Sequence, residues 1–129
     1  MSDNPATLVY FVGGGPGDPE LLTLKAVRVL ERADVVIYTD SLTDPRITQF
    51  CKPGVEVHGS AGMALEEIVG IILKAVGEGK TVARVHSGDP SIFGAVLEQV
   101  AALEKAGVRS EVIPGVSSVF AAAPALGVE

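Results

Sequence analysis

Leu8-Val9-Tyr10-Phe11-Val12-Gly13 runs straight into Gly14-Gly15-Pro16-Gly17-Asp18-Pro19, and this junction decides the fold. An apolar, β-branched run of this length reads as a strand, and glycine and proline punctuate its end. A helical pattern follows, with Leu22, Ala26, Val29, Leu30 and Ala33 on one face. The alternation then repeats. Residues 34–39, 55–58, 81–86 and 109–113 read as further strands. Leu65, Ile68, Val69, Ile72 and Val76 share one helical face, and Phe93, Val96, Leu97, Val100 and Leu103 share another. A shorter helix is expected between Asp44 and Lys52-Pro53-Gly54, and a last one from Ser117 towards Gly127, limited by Pro124.

Strands that alternate with helices require right-handed parallel crossovers. The expected fold is therefore α/β: a three-layer, open, mainly parallel five-stranded sheet with helices on both faces. In such sheets ligands bind beyond the carboxyl ends of the strands. That rule singles out the strand-to-helix turns, where the small and polar residues gather: Gly13 to Pro19, Thr39-Asp40-Ser41, His58 to Met63, Ser87-Gly88-Asp89-Pro90 and Pro114 to Ser118. Asp-Pro stands at three expected helix starts, Asp18-Pro19, Asp44-Pro45 and Asp89-Pro90. A capping aspartate followed by proline stabilises a first helical turn by roughly 1 kcal/mol without any further role, and Asp44 is assigned that role alone.

Composition narrows the class of function. A chain of 129 residues, 47% apolar and 20% charged, has the size of one domain and the apolar content to bury a core. Cys51 is the single cysteine, so no internal disulfide forms, and with only His58 and His86 beside it no structural zinc spacing exists. No basic segment leads into an apolar one near Met1, and no apolar run approaches the ~20 residues of a membrane span. A reducing cytoplasm is the expected location, with no membrane association. The net charge of −6, with scattered Lys and Arg, leaves no footprint for nucleic acid. A polyanionic ligand would need local cations, for which Lys25, Arg46, Arg84 and His86 are the candidates.

Gly13-x-Gly15 after the first strand invites a dinucleotide reading, with Asp40 as the ribose acid. The third glycine of that fingerprint belongs at position 18. Asp18 stands there instead, placing a carboxylate where phosphate would sit, and Pro19 removes an amide donor. A nicotinamide-binding oxidoreductase domain is thus a disfavoured alternative. A non-catalytic domain binding a small ligand in the same crevice is another. Glycines without side chains and a stiff Pro16 do suit close approach of a large flat ligand.

The run from Val12 to Ala26, through Gly13-Gly14-Gly15-Pro16-Gly17-Asp18-Pro19-Glu20-Leu21-Leu22-Thr23-Leu24-Lys25, resembles the opening motif of the tetrapyrrole methylases of sirohaem and corrin synthesis. Arg84-Val85-His86-Ser87-Gly88-Asp89-Pro90-Ser91-Ile92-Phe93-Gly94 and Pro114-Gly115-Val116-Ser117-Ser118-Val119-Phe120-Ala121-Ala122 resemble two further motifs of that family. Tyr38-Thr39-Asp40-Ser41-Leu42, Ser60-Ala61-Gly62-Met63 and Ser91-Ile92-Phe93-Gly94-Ala95 followed by Glu98-Gln99 are similar to the precorrin-4 methylases in particular. Ser87 and Thr39 depart from the uroporphyrinogen methylases, which carry glycine and an acid at those places.

The resemblance implies transfer of a methyl group from S-adenosylmethionine to ring carbon 11 of precorrin-4 or cobalt-precorrin-4, leaving S-adenosylhomocysteine and requiring no metal. It implies cofactor contacts at Pro16, Ser87, Gly88, Asp89, Ile92, Ser117 and Ser118, and substrate contacts at Gly15, Asp40, Ser60 and Met63. Asp40 and His86 are the candidates for a general base. The family also has a second α/β domain, so residues 1–129 correspond to its N-terminal domain, inactive alone, of a protein expected to be a homodimer.

Overall fold

Val9–Gly13 (β1) is buried on both faces because parallel neighbours flank it. Those neighbours are β4 (Val82–His86) and β5 (Ser110–Ile113). β4 also pairs with β2 (Val35–Tyr38), and β2 with the edge strand β3 (Glu56–Gly59). The sheet order is β3-β2-β4-β1-β5, with all four pairings parallel. The computed structural model describes residues 7–16, 18–39, 45–86 and 96–116. Each strand lies within one residue of its expected position. The last expected helix, from Ser117, falls outside the described residues.

Alternation along the strands divides the core into two layers. Tyr10 and Val12 of β1 join Val36, Ala83, Val85 and Ile113 on one face, covered by α1 (Leu24–Arg32) through Ala26, Val29 and Leu30. Val9, Phe11, Val35, Ile37 and Val82 form the other face, covered by α2 (Leu65–Gly77) and α3 (Val96–Lys105). Burying a side chain such as Phe11, Leu30 or Ile72 contributes about 1.5–3 kcal/mol, so a few such residues anchor each helix.

The helical faces differ in detail from their sequence patterns. α1 begins at Leu24, capped by Thr23, whose Oγ1 accepts from the Ala26 amide at 3.1 Å. Asp18-Pro19 instead opens a separate 3-10 turn over Pro19–Leu21. Leu22 packs against the first core layer with its backbone extended, so the turn ends before the helix starts. In α2 the fully buried stripe is Ile68, Ile72 and Ala75, while Leu65, Val69 and Val76 lie half-buried on its flank. In α3 Leu97, expected on the apolar face, is 84% exposed. Val96, Gln99 and Leu103 set the buried stripe, and Leu97 stands about 100° round from Val96, on the side away from Gln99. The short helix after Asp44 is a 3-10 segment, Pro45–Phe50, held by buried Ile47.

Asp34 secures the amino edge of the sheet. Its Oδ2 accepts from the Thr81 amide at 2.8 Å, its own amide donates to the Thr81 carbonyl at 2.9 Å, and its carbonyl accepts from Glu56 at 3.0 Å. Lys52 pairs with its other oxygen, and this bond, then the Thr81 amide, holds the carboxyl below the usual range. Asp34→Ala is expected to destabilise the fold by about 1–3 kcal/mol, because the Thr81 amide loses its acceptor. Urea unfolding of the two proteins checks this; unchanged midpoints would contradict it.

Candidate active site at the carboxyl edge of the sheet

Three backbone bonds align the strand ends. The Gly14 amide donates to the His86 carbonyl at 2.6 Å, Thr39 to Val85 at 3.3 Å and Ser60 to Tyr38 at 2.8 Å. Chain direction then locates the crevice. From β1 the chain leaves to α1 on one face, and from the neighbouring β4 it proceeds to α3 on the other. Connections that part to opposite faces from adjacent strands mark the topological switch point, where open α/β sheets bind ligands. The Gly14–His86 bond spans that point.

Gly13, Gly14 and Gly15 are all buried there, and Pro16 follows, half-buried. Gly15 adopts φ +72°, and a Cβ on it would meet the Leu21 carbonyl oxygen at 3.2 Å. The loop thus turns in a left-handed conformation against its own 3-10 turn. The Asp18 carboxylate accepts from the Glu20 amide at 2.9 Å, and the Asp18 carbonyl accepts from Leu21 at 2.9 Å. Amides that would cradle a pyrophosphate are therefore occupied from within, by an acid.

His86 closes β4. It is 8% exposed, stacks on Phe11 with ring centroids 6.1 Å apart, and its Nε2 has no hydrogen-bond partner among the described residues. Burial, then the nearby Arg84 charge, lowers its pKa to about 4. The ring is neutral at physiological pH. A base whose conjugate acid is this strong is poorly matched to proton abstraction near neutrality.

Of the expected cations, Arg84 and Lys25 are engaged by other groups of the chain. Arg84 is 4% exposed and bonded to Gln99 and to two backbone carbonyls. Burial lowers its pKa to about 10, which leaves it charged at neutral pH. Lys25 pairs with Glu111 at 3.2 Å. Arg84 therefore does not present its charge to a ligand carboxylate, because its strand directs it into the layer beneath α3. Arg46 is exposed.

Of the expected substrate contacts, Gly15 and Ser60 both lie at the carboxyl edge. Ser60 is 7% exposed and its hydroxyl donates to the Tyr38 carbonyl at 3.2 Å, so only its lone pairs remain for a ligand. Met63 packs against the second core layer. Asp40, Ser87, Gly88, Asp89, Ile92, Ser117 and Ser118 lie outside the described residues. His58 pairs with Glu56. Both line a groove of about 280 Å3 with Lys74, Glu78 and Lys80, at the amino edge and remote from the crevice. Among the described residues no cluster of His, Cys, Asp or Glu suits a metal ion.

Gln99 belongs to a family-like motif, but the sequence assigned it no role at the site. A polar residue three after Val96 and four before Leu103, on an apolar stripe, signals a buried partner. That partner is Arg84.

Two consequences are measurable. Gly15→Ala should cost about 1–2 kcal/mol in urea unfolding, because alanine resists the left-handed turn; no change would show that the turn relaxes freely. His86 gives stability a defined pH dependence. The unfolded chain takes up a proton near pH 6.5 and the folded chain only near pH 4, so stability falls as pH drops through that window. The loss is on the order of 3 kcal/mol, and His86→Phe should abolish it. Unfolding measured at several pH values checks this; an unchanged acid limb in the variant would refute it.

A model of the tetrapyrrole (corrin/porphyrin) methylases matches residues 8–129. The cobalt-precorrin-4 C(11)-methyltransferases of Methanocaldococcus jannaschii and Priestia megaterium are each 51% identical over 121 residues, 94% of this chain and 47% of theirs. The chain thus spans about half the length of the curated relatives it matches. The X-ray structure of cobalt precorrin-4 methyltransferase, a cobalamin biosynthetic enzyme, matches with a TM-score of 0.91 at 48% identity, covering 100% of this chain and 54% of that one. The uroporphyrin-III C-methyl transferase of Thermus thermophilus, complexed with S-adenosylhomocysteine, matches with a TM-score of 0.75 at 44% identity, covering 88% of this chain and 47% of that one. By its sequence and by its parallel sheet with a glycine loop at the switch point, the chain belongs to the tetrapyrrole methylases.

Proposed function

We propose that this chain is the N-terminal α/β domain of an S-adenosylmethionine-dependent C-methyltransferase of corrin-ring synthesis, acting on precorrin-4 or cobalt-precorrin-4 at ring carbon 11. The observation that carries the reading is the 51% identity to two cobalt-precorrin-4 C(11)-methyltransferases across 94% of the chain. The Thermus structure with bound S-adenosylhomocysteine supports the choice of cofactor.

The described part of the crevice fits such a cofactor. Buried glycines at the end of β1 put backbone, without side chains, at the switch point, and the Glu20 and Leu21 amides beyond them are already satisfied by Asp18. That suits a flat, cationic ligand better than a pyrophosphate. Bound there, the cofactor supplies an electrophilic methyl group on a sulfonium. Pro16 would form one wall of its site, with Ser87, Gly88, Asp89, Ile92, Ser117 and Ser118 around it, and Asp89 offering a carboxylate to its positive charge. Gly15, Asp40, Ser60 and Met63 would face the macrocycle. If the alkylated carbon loses a proton, Asp40 is the better acceptor, since His86 is enclosed and its conjugate acid is strong. No metal enters this reading.

A single domain forms one wall of the cleft. Leu24 and Leu97, at the starts of helices that follow strand ends, are 75% and 84% exposed, as residues covered by another wall would be. Positioning a nucleophile and electrophile can supply up to about 7–11 kcal/mol, and an open half-site forfeits most of it. In this reading the complete enzyme is a cytoplasmic homodimer. No helix among the described residues is long and apolar enough to cross a membrane.

Calorimetric titration of the purified chain should show binding of S-adenosylhomocysteine and none of a nicotinamide dinucleotide. Incubation with S-adenosylmethionine and precorrin-4 should give no methylated product by mass until the second domain is supplied. Preferential dinucleotide binding would overturn the assignment of cofactor. Turnover by the chain alone at the rate of the two-domain enzyme would overturn the assignment of domains.

A further inference from the structure

The Arg84 side chain joins three elements beneath the crevice. Its Nε donates to Oε1 of Gln99 on α3 at 3.2 Å. One terminal nitrogen, Nη1, donates to the Ile37 carbonyl of β2 and to the Val85 carbonyl of β4, each at 3.3 Å. Ile37 and Val85 are the penultimate residues of their strands, and Gln99 is the fourth residue of α3. Arg84 and Gln99 are 4% and 2% exposed. No acidic side chain pairs with the guanidinium among the described residues.

Packing alone gives no reason for this arrangement. Burying a guanidinium is costly, and an apolar side chain of similar length would fill the space more cheaply. What arginine offers is a rigid fork of donors that meets several acceptors at once. Gln99 is matched to it: arginine only donates, so the amide must turn its oxygen inward. The pair is also placed where geometry matters. Residues 87–95 run from the end of β4 to the start of α3, so the Arg84–Gln99 bond links the two flanks of that connection.

We infer that Arg84, acting through Gln99, is a positioning residue that sets the separation between the end of β4 and the start of α3, on which cofactor affinity depends. The cofactor part rests on the function proposed above. Arg84 itself touches no ligand; it holds the two elements that flank residues 87–95, to which the proposed function assigns cofactor contacts. Side chains that act as one tie give non-additive effects when removed singly and together.

The test uses the purified chain and four variants: Arg84→Met, Gln99→Leu, the double variant, and Arg84→Lys. Ile72→Val serves as a control that weakens the same core layer far from the crevice. Amide hydrogen exchange is read by mass spectrometry, and S-adenosylhomocysteine affinity by calorimetry on folded protein. Arg84→Met should accelerate exchange in the first turns of α3 and raise the dissociation constant about tenfold. The double variant should be no worse than Arg84→Met, Arg84→Lys should recover part of the affinity, and Ile72→Val should change neither readout locally. Unchanged exchange at the start of α3 in Arg84→Met would overturn the tie. Faster exchange with unchanged affinity, or additive losses in the double variant, would overturn the positioning role. If the parent chain fails to bind S-adenosylhomocysteine, the proposed function falls, and the exchange data still decide whether the tie anchors α3.

Discussion

The hydrogen bond from Gly14 to the His86 carbonyl is the constraint on which the site depends. It extends the β1–β4 ladder by one residue beyond the strand end, at the place where the chain parts to opposite faces of the sheet. With the ladder closed there, the glycine loop is held to the end of β4, which gives the crevice its floor. Everything proposed to contact a ligand is built on that floor or on the turns beside it. Beside it Gly15 needs to be glycine, with its φ of +72° and a Cβ position only 3.2 Å from the Leu21 carbonyl oxygen.

Electrostatics at this edge run against a simple reading of charge. Arginine on an interior strand suggests an anion site, yet Arg84 is consumed by a glutamine and two carbonyls, and it suppresses protonation of its neighbour His86. The positive charge is thus structural and lies under the crevice rather than in it. At the opposite side of the loop, Asp18 uses its carboxylate on its own turn. The described wall is therefore polar through backbone and small side chains, with its full charges tied up. Such a wall discriminates by shape and close approach more than by long-range attraction.

Agreement between local pattern and global fold is close for the strands. Near-continuous apolar runs in β1 and β2, and Val82, Ala83 and Val85 in β4, serve both faces of a buried parallel sheet, so pattern and propensity point the same way. Agreement is weaker for the helices, where the apolar residues outnumber the places beneath them. Leu97 fits the period as well as Val96 does, but only one flank of α3 meets the sheet. The motif positions were equally visible. Asp18 as a cap was legible too, since its partner Glu20 is two residues away, but Arg84 as an internal tie and His86 as an enclosed ring depend on partners distant in sequence.

The sequence by itself determined the fold class, the five strands, the crevice edge and the family, because these follow from periodicity, turn chemistry and contiguous motifs that need no knowledge of distant contacts. The strand order β3-β2-β4-β1-β5 and the pairing of Arg84 with Gln99 were decided by tertiary structure. So was the burial that keeps His86 neutral. The physical reason is the same for all three: a crossover can place a strand beside any of several neighbours, and a polar side chain finds its acceptor, or loses its water, only once those neighbours are in place.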